Sequence, residues 1–372
     1  MKEIKGNYAT AKIFTEDLED YALSQIKMIC DDRISENSSI RVMPDVHPGA
    51  VGPIGLTMTI HDRIIPHLLG IDVGCGISCA VLKEKRLEFG KLDKLIKEKI
   101  PSGFAIRKKP HHLAEDFPLE LLLCYEHIHV DKAMHSLGTL GGGNHFIEMD
   151  KSQDGTLYLT VHSGSRHLGK EVTEHYVKKA AALLKAQSME VPYPMTFLEG
   201  ELMEQYIHDI HILQDYAALN RNIILQEILK GMKLKATEEF SSVHNYLEEE
   251  NGQKLLRKGA ISAKKDEKLL IPVNMRDGIL LGMGKGNKDW NFSAPHGSGR
   301  LIRRDQVKSR YTVSAFRKEM EGIYCSCMGP DTLDEAPFAY RSIDMILEQI
   351  KYTVEVTKLL KPVYNFKAGS RK

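Results

Sequence analysis

Five short segments between Met43 and Arg300 set glycine beside residues that bind metals or phosphates, and core packing gives no reason for that combination. A chain that spreads one kind of chemistry over so long a stretch has to bring distant loops together. That requirement argues for one site assembled from the whole chain, on loops positioned by a scaffold, rather than a string of independent modules.

The first segment joins Met43-Pro-Asp45-Val-His47-Pro-Gly to Gly70-Ile-Asp72-Val-Gly-Cys75-Gly76, where glycines flank an Asp and a Cys three residues apart. A thiolate beside a carboxylate can hold a divalent metal, whose charge drives deprotonation of Cys75. The same residues also fit a glycine turn around a buried free cysteine. In Leu137-Gly-Thr-Leu-Gly141-Gly142-Gly143-Asn144-His145-Phe-Ile-Glu148 a triple glycine runs into a strand pattern. It matches no Walker or dinucleotide motif, but its backbone can approach a phosphate, with Asn144 donating to an oxygen and His145 offering an imidazole to a metal. A plain hairpin turn is the alternative.

Leu157-Tyr-Leu-Thr-Val-His162-Ser-Gly-Ser-Arg166 puts His162 at the end of an alternating strand, where α/β proteins usually place function. His244-Asn245 follows an acidic, helix-like stretch and takes its weight from the other segments. Asn291-Phe-Ser-Ala-Pro-His296-Gly-Ser-Gly-Arg300 precedes Arg303, Arg304, Lys308 and Arg310, which makes a local polyanion site. His127, His129, His208 and His211 lack such context and read as structural or surface residues. Cys325-Ser-Cys327 has the form of a metal or redox pair without a second CxxC. Gly282-Met-Gly284-Lys-Gly286 matches a dinucleotide loop in glycine count only.

Composition narrows the class. With 42% hydrophobic and 27% charged residues, the 372-residue chain is neither disordered nor fibrous. Lys and Arg number 51 against 50 Asp and Glu, so a polyanion has to be held by local clusters and not by an overall field. Six sparse cysteines predict reduced thiols. The polar first 30 residues and the lack of a long apolar run predict a cytoplasmic protein that does not engage membranes.

Short β-branched runs at 53–60, 64–81 and 157–161 predict strands and loops in the first half, and helices are expected to carry the second. Leu202, Tyr206, Ile210, Leu213, Ala217, Ile224 and Ile228 recur at helical spacing, as do Ile343, Leu347, Ile350 and Val354. Pro192 and Pro194 mark a possible boundary near residue 190, but the loaded motifs lie on both sides of it.

Taken together, Asp45-Val-His47, Asp72-Val-Gly-Cys75-Gly76, Gly143-Asn-His145-Phe, His162-Ser-Gly-Ser-Arg166, His244-Asn245, Arg257-Lys-Gly-Ala260, His296-Gly-Ser-Gly-Arg300, Glu335-Ala-Pro337 and Lys367 resemble the RtcB family of GTP-dependent RNA ligases over nearly the whole length. The resemblance implies an α+β fold: a single large domain, residues 1–372, with mixed β-sheets, surrounding helices and an active site in a central cleft. It implies two Mn2+ ions held by Asp72, Cys75, His145, His162 and His244, with Cys75 shared between them. By the same likeness His296 is the catalytic nucleophile that takes GMP from GTP. Asn144, Lys258 and Arg300 are expected on phosphates, Glu148 and Lys367 on the guanine edge, Tyr340 stacked on the base, and Asn245 among the nucleotide contacts. Arg166, Arg303 and Arg304 are weaker candidates for RNA binding.

The activity implied is the joining of RNA 3′-phosphate or 2′,3′-cyclic phosphate ends to 5′-hydroxyl ends, in RNA repair or tRNA splicing. Which RNA is joined and whether a protein partner takes part are left open. The loop Asn274-Met-Arg276-Asp277 and the Arg303-Arg304 pair depart from the usual pattern and point toward a repair branch. A metal-dependent RNA end-processing phosphoesterase is the alternative enzyme, since two-metal His/Asp sites commonly cleave phosphate esters. A non-catalytic RNA-binding module with a structural metal is a third reading.

Overall fold

A computed structural model describes residues 1–369. Its architecture is α+β, built on two large sheets. The six-stranded sheet runs in the order Lys2–Lys5, Thr10–Ile13, Ile40–His47, Ile54–Ile60, Gln253–Lys258 and Asn245–Glu250. Thr10–Ile13 and Ile40–His47 are parallel, joined by a crossover through helix Asp20–Asp31, and this pair makes the sheet mixed.

The seven-stranded sheet runs Ala236–Val243, Gly76–Leu82, Leu157–Ser163, Phe146–Lys151, Val354–Lys367, Gly278–Gly284 and Lys268–Asn274, with every neighbouring pair antiparallel. All seven residues of Leu157–Ser163 are buried, because both faces of the sheet are covered. Leu159 and Val161 pack with Ile224, Leu225 and Ile228 of the 33-residue helix Gly200–Met232. On the other face Ile77, Cys79 and Tyr158 cluster with Leu270, Ile279 and Leu281 from the far end of the same sheet. The sheet therefore curls until its two edge strands approach, and Ser242 Oγ accepts a 3.0 Å hydrogen bond from the Leu270 amide.

The long helix also organises the loops at the sheet's end. Arg221, fully buried, donates from Nη1 to the carbonyls of Gly74 (2.6 Å) and Ser163 (2.9 Å) and from Nε to Ser78 Oγ. The neighbouring Asn220 accepts from the Gly138 and Thr139 amides and donates to Ser163 Oγ and the Gly164 carbonyl. Three glycine-containing loops distant in sequence are thereby held at one helix.

The expectation that helices carry the second half is overturned. Strands fill most of 236–284, and the acidic stretch before His244 is strand Ala236–Val243, paired with Gly76–Leu82. The terminal helix stops at Ile350, and Val354 opens strand Val354–Lys367. Adjacent Glu238 and Glu239 on a largely exposed edge strand give no alternating pattern to read, so tertiary pairing decides the outcome. Pro192 and Pro194 lie in the stretch between helices Arg166–Ala186 and Gly200–Met232, which pack on each other with Tyr176 against Tyr206 at 5.3 Å between ring centroids. Among the described residues no helix is long and apolar enough to cross a membrane.

Candidate metal and phosphate site

Asp72, Cys75, His145, His162 and His244 converge at the end of the curled sheet. Their donor atoms form two groups, Cys75 with His162 and His244, and Asp72 with Cys75 and His145, each within 4.8 Å, so Cys75 belongs to both. Its Sγ lies 3.4 Å from His145 Nε2 and 3.3 Å from His162 Nε2. His162 Nε2 faces His244 Nε2 at 3.0 Å, and His145 Nε2 faces Asp72 Oδ2 at 3.1 Å.

The far sides of the rings fix the tautomers. His145 Nδ1 donates to the Leu140 carbonyl at 2.9 Å and His162 Nδ1 to the Asn144 carbonyl at 3.1 Å, so each ring, in its metal-ligating form, turns a lone pair inward from Nε2. Lone pairs facing a sulfur and a carboxylate repel one another unless a cation stands between them. The donor set therefore fits a metal, and His244 Nδ1, buried without a hydrogen-bond partner among the described residues, belongs to the same polar cluster.

Burial pushes His162 and His244 well below the ordinary histidine range and keeps both neutral. Burial and the adjacent Asp72 push the Cys75 thiol well up, so its ionisation depends on a bound cation. Gly164 is required here by space, since a Cβ on it would sit 2.2 Å from Asp72 Oδ1.

Beside this cluster, His296 Nδ1 donates to Asp45 Oδ2 at 2.7 Å. Asp45 is completely buried, and the bond leaves His296 Nε2 as the acceptor-bearing nitrogen. The ring stacks on His244 with centroids 4.8 Å apart and planes 23° off parallel. Gly299, at φ +75°, is held where a Cβ would lie 2.9 Å from the Asp45 carbonyl oxygen, which explains a glycine in the His-Gly-Ser-Gly run.

Both features open onto one cavity of about 1050 Å³, large enough for a nucleotide. It is lined by Asn144, Glu148, Lys367 and His296 and by Arg300, Arg303 and Tyr340, with the Arg300 guanidinium over the Tyr340 ring at 5.0 Å. Glu335 connects them. It accepts from Lys367 Nζ at 2.9 Å, from the Tyr340 hydroxyl at 2.6 Å and from Arg300 Nη1 at 3.3 Å, and it lies 2.7 Å from Arg304 Nη1. Burial resists its ionisation, but Lys367, Arg304 and Arg300 together hold its carboxyl far below the usual range. Glu148 accepts from Asn365 Nδ2, and burial lifts its pKa to about 7.

Other expected contacts sit elsewhere. Lys258 Nζ donates to the carbonyls of Val51 (2.6 Å) and His67 (3.0 Å), behind the cavity wall. Asn245 braces the Asp72 carbonyl and the Gly259 amide. Arg166 turns inward to Thr139 Oγ1 and the Gly103 carbonyl, and Arg304 is committed to Asp334 and Glu335. Arg303 is the more exposed of the two, its side chain 72% accessible against 42% for Arg304, and lies 3.5 Å from Asp305. Sequence reasoning gave no role to Asp45, Asn220, Arg221 or Glu335. Asp45 and Glu335 at least stood in the motifs, whereas nothing in the helical periodicity marks Asn220 or Arg221.

The family described as "tRNA-splicing ligase RtcB" matches residues 34–120 and 122–368. The "RNA-splicing ligase RtcB" of Escherichia coli (strain K12) is 28% identical over 366 residues, covering 87% of this chain and 88% of that protein. The "tRNA-splicing ligase RtcB" of Aeropyrum pernix is 23% identical over 416 residues, 86% of this chain and 85% of its own length. That of Nanoarchaeum equitans is 22% identical over 442 residues, covering 95% and 92% respectively.

Proposed function

The chain belongs to the RtcB family, and from that membership we propose that it is an RNA ligase joining 3′-phosphate or 2′,3′-cyclic phosphate ends to 5′-hydroxyl ends through a histidine-GMP intermediate. The observation that carries this reading is the position of His296, tautomer fixed by Asp45 and ring stacked on His244, between the metal-binding cluster and the cavity.

In the proposed reaction His296 Nε2 attacks the α-phosphorus of GTP, the bond to pyrophosphate breaks, and Asp45 stabilises the imidazole proton at Nδ1. In this reading Arg300 and Asn144 would contact phosphate oxygens, and Glu148, Lys367 and Tyr340, which line the same cavity, would contact the guanine. An RNA 3′-phosphate oxygen then displaces His296 and takes the guanylyl group. The 5′-hydroxyl oxygen attacks the 3′-phosphorus, its proton is lost, and GMP leaves. A cyclic phosphate enters this sequence after water opens it. Asp72, Cys75, His145, His162 and His244 would hold a pair of manganese ions, which supply charge stabilisation at the entering and leaving oxygens.

We further read residues 1–372 as one functional unit, with Arg303 contacting RNA phosphates beyond the nucleotide and with repair of broken structured RNA as the setting. Incubation with α-labelled GTP and manganese tests the core of the proposal by detection of an acid-labile protein-GMP adduct. Phosphate release from RNA ends without any adduct would favour an end-processing phosphoesterase instead.

A further inference from the structure

Cys325 and Cys327 lie outside the chemistry described so far, and their placement is unlike that of the other thiols. All six cysteines are free. Cys30, Cys75, Cys79 and Cys124 are at most 2% exposed, whereas Cys325 and Cys327 are only half-buried, with their sulfurs 3.3 Å apart. The intervening Ser326 is pinned by a 2.6 Å hydrogen bond to Asp93, and Tyr324 is bridged to the strand through the Val363 carbonyl and the Asn365 amide. The two thiols are thus held on the same side of a fixed turn.

We propose that Cys325 and Cys327 form a reversible dithiol/disulfide site whose oxidant is a hydroperoxide, and that closing it loosens Lys367 at the cavity wall. The Cys325 S–H donates to Cys327, which draws the Cys327 thiol below its usual range against the effect of burial, helped by the Lys367 amide and the Lys367 charge. The same donation, with burial, raises Cys325. Cys327 is then the attacking sulfur and Cys325 the resolving one. With hydrogen peroxide, the Cys327 thiolate takes one oxygen, the O–O bond breaks, and the other oxygen leaves as water after protonation. The Cys325 sulfur next attacks that sulfenic acid, the S–O bond breaks, and the oxygen leaves as a second water carrying the Cys325 proton. Two thiols lose two hydrogens, and one peroxide becomes two waters.

The link to the cavity is direct. Cys327 Sγ accepts the Lys367 amide at 3.2 Å, and Lys367 Nζ holds Glu335 at 2.9 Å. Bond formation draws the sulfurs from 3.3 Å to about 2 Å, moves Cys327 Sγ and makes it a poorer acceptor, so the Lys367 amide loses its partner.

The test uses the full chain loaded with manganese, treated with one equivalent of hydrogen peroxide, alkylated and mapped by mass spectrometry. The expected product carries a Cys325–Cys327 bridge with the other four thiols alkylated, and dithiothreitol reverses it. Amide exchange at Lys367 should quicken about tenfold, as loss of one hydrogen bond implies. Cys325→Ser should form no bridge and should stop at a Cys327 sulfenic acid. Oxidation of the buried thiols as readily as the pair, or survival of the pair under excess peroxide, overturns the site; a bridge with unchanged Lys367 exchange overturns its link to the cavity. Neither readout depends on ligase activity, so failure of both oxidised and reduced protein to take label from GTP would count against the proposed function and leave the thiol map intact.

Discussion

Asp45 and His296 stand 251 positions apart in sequence and share a 2.7 Å hydrogen bond in which the carboxylate accepts from Nδ1. That contact decides which ring nitrogen faces the cavity. An asparagine in place of Asp45 can donate instead of accept and so favours the wrong tautomer. Asp45→Asn should slow protein-GMP formation on the order of a hundredfold or more while metal content stays unchanged. A labelling rate equal to that of the unmodified protein would remove Asp45 from this role.

Cys75 is common to both groups of candidate ligands, whereas His244 belongs to one. Cys75→Ala should therefore empty both metal positions, and His244→Ala only one, as read by elemental analysis after dialysis against manganese. Cys79, buried in an apolar cluster, serves as the control. Cys79→Ala should keep its metal and lose about 1 kcal/mol of stability. Equal metal content in Cys75→Ala and the unmodified protein would sink the shared-ligand assignment.

His296→Ala should bind manganese normally, since His296 lies in neither ligand group, and should form no adduct. It should still seal RNA supplied with GMP already joined to its 3′-phosphate, because only the last displacement remains. Labelling of His296→Ala by GTP would place the nucleophile elsewhere.

Burial raises Glu148 from 4.5 to about 7, and its neighbour Asp150 is raised as well, first by burial and then by the charge of Glu148. Between about pH 5 and 7 the folded protein retains protons that the unfolded chain has released, so stability contributed by this pair is present at low pH and declines as pH rises through that window. Glu148→Gln should flatten the decline. Parallel denaturation series at several pH values check this, and curves of identical slope for the two proteins would contradict it.

Arg303 is exposed, whereas Arg304 is tied to Asp334 and Glu335. Arg303→Ser should lower the slope of log affinity against log salt by about one unit for every RNA tested, without altering which ends are joined. Arg304→Ser should act earlier, on adduct formation, because it removes a partner from buried Glu335. Exclusive joining of 3′-hydroxyl to 5′-phosphate ends would place the protein in another ligase class, and equal rates on tRNA halves and cleaved ribosomal RNA would remove the case for repair.

The candidate ligands Asp72, Cys75, His145 and His162, and the candidate nucleophile His296, were legible because each sits close to glycine, a pattern that core packing does not demand. Lys258 and Asn245 show the limit of that reasoning. An ammonium and a carboxamide suit a phosphate and a backbone carbonyl equally well, and only the folded loops put Val51 and His67 in front of one and Asp72 and Gly259 in front of the other. Arg221 was invisible for a different reason. A charged residue on a long amphipathic helix reads as solvent-facing, and its burial follows from carbonyls of Gly74 and Ser163 that arrive from two distant loops. The strands of 236–284 were missed because the edge strands bunch their charges, Glu238-Glu239 and Glu248-Glu249-Glu250, which hides the period of two that only their partners reveal.

Strand Val354–Lys367 occupies an inner position, hydrogen-bonded to Phe146–Lys151 on one side and to Gly278–Gly284 on the other. Both neighbours leave the ribosome well before it does. Until it arrives each of them presents an unpaired edge, the kind of surface that chains in synthesis exchange with one another or hand to a chaperone. The sheet thus closes in a different order from its translation, and Lys367, at the end of that late strand, makes its part of the cavity wall among the last parts of the candidate site to be assembled.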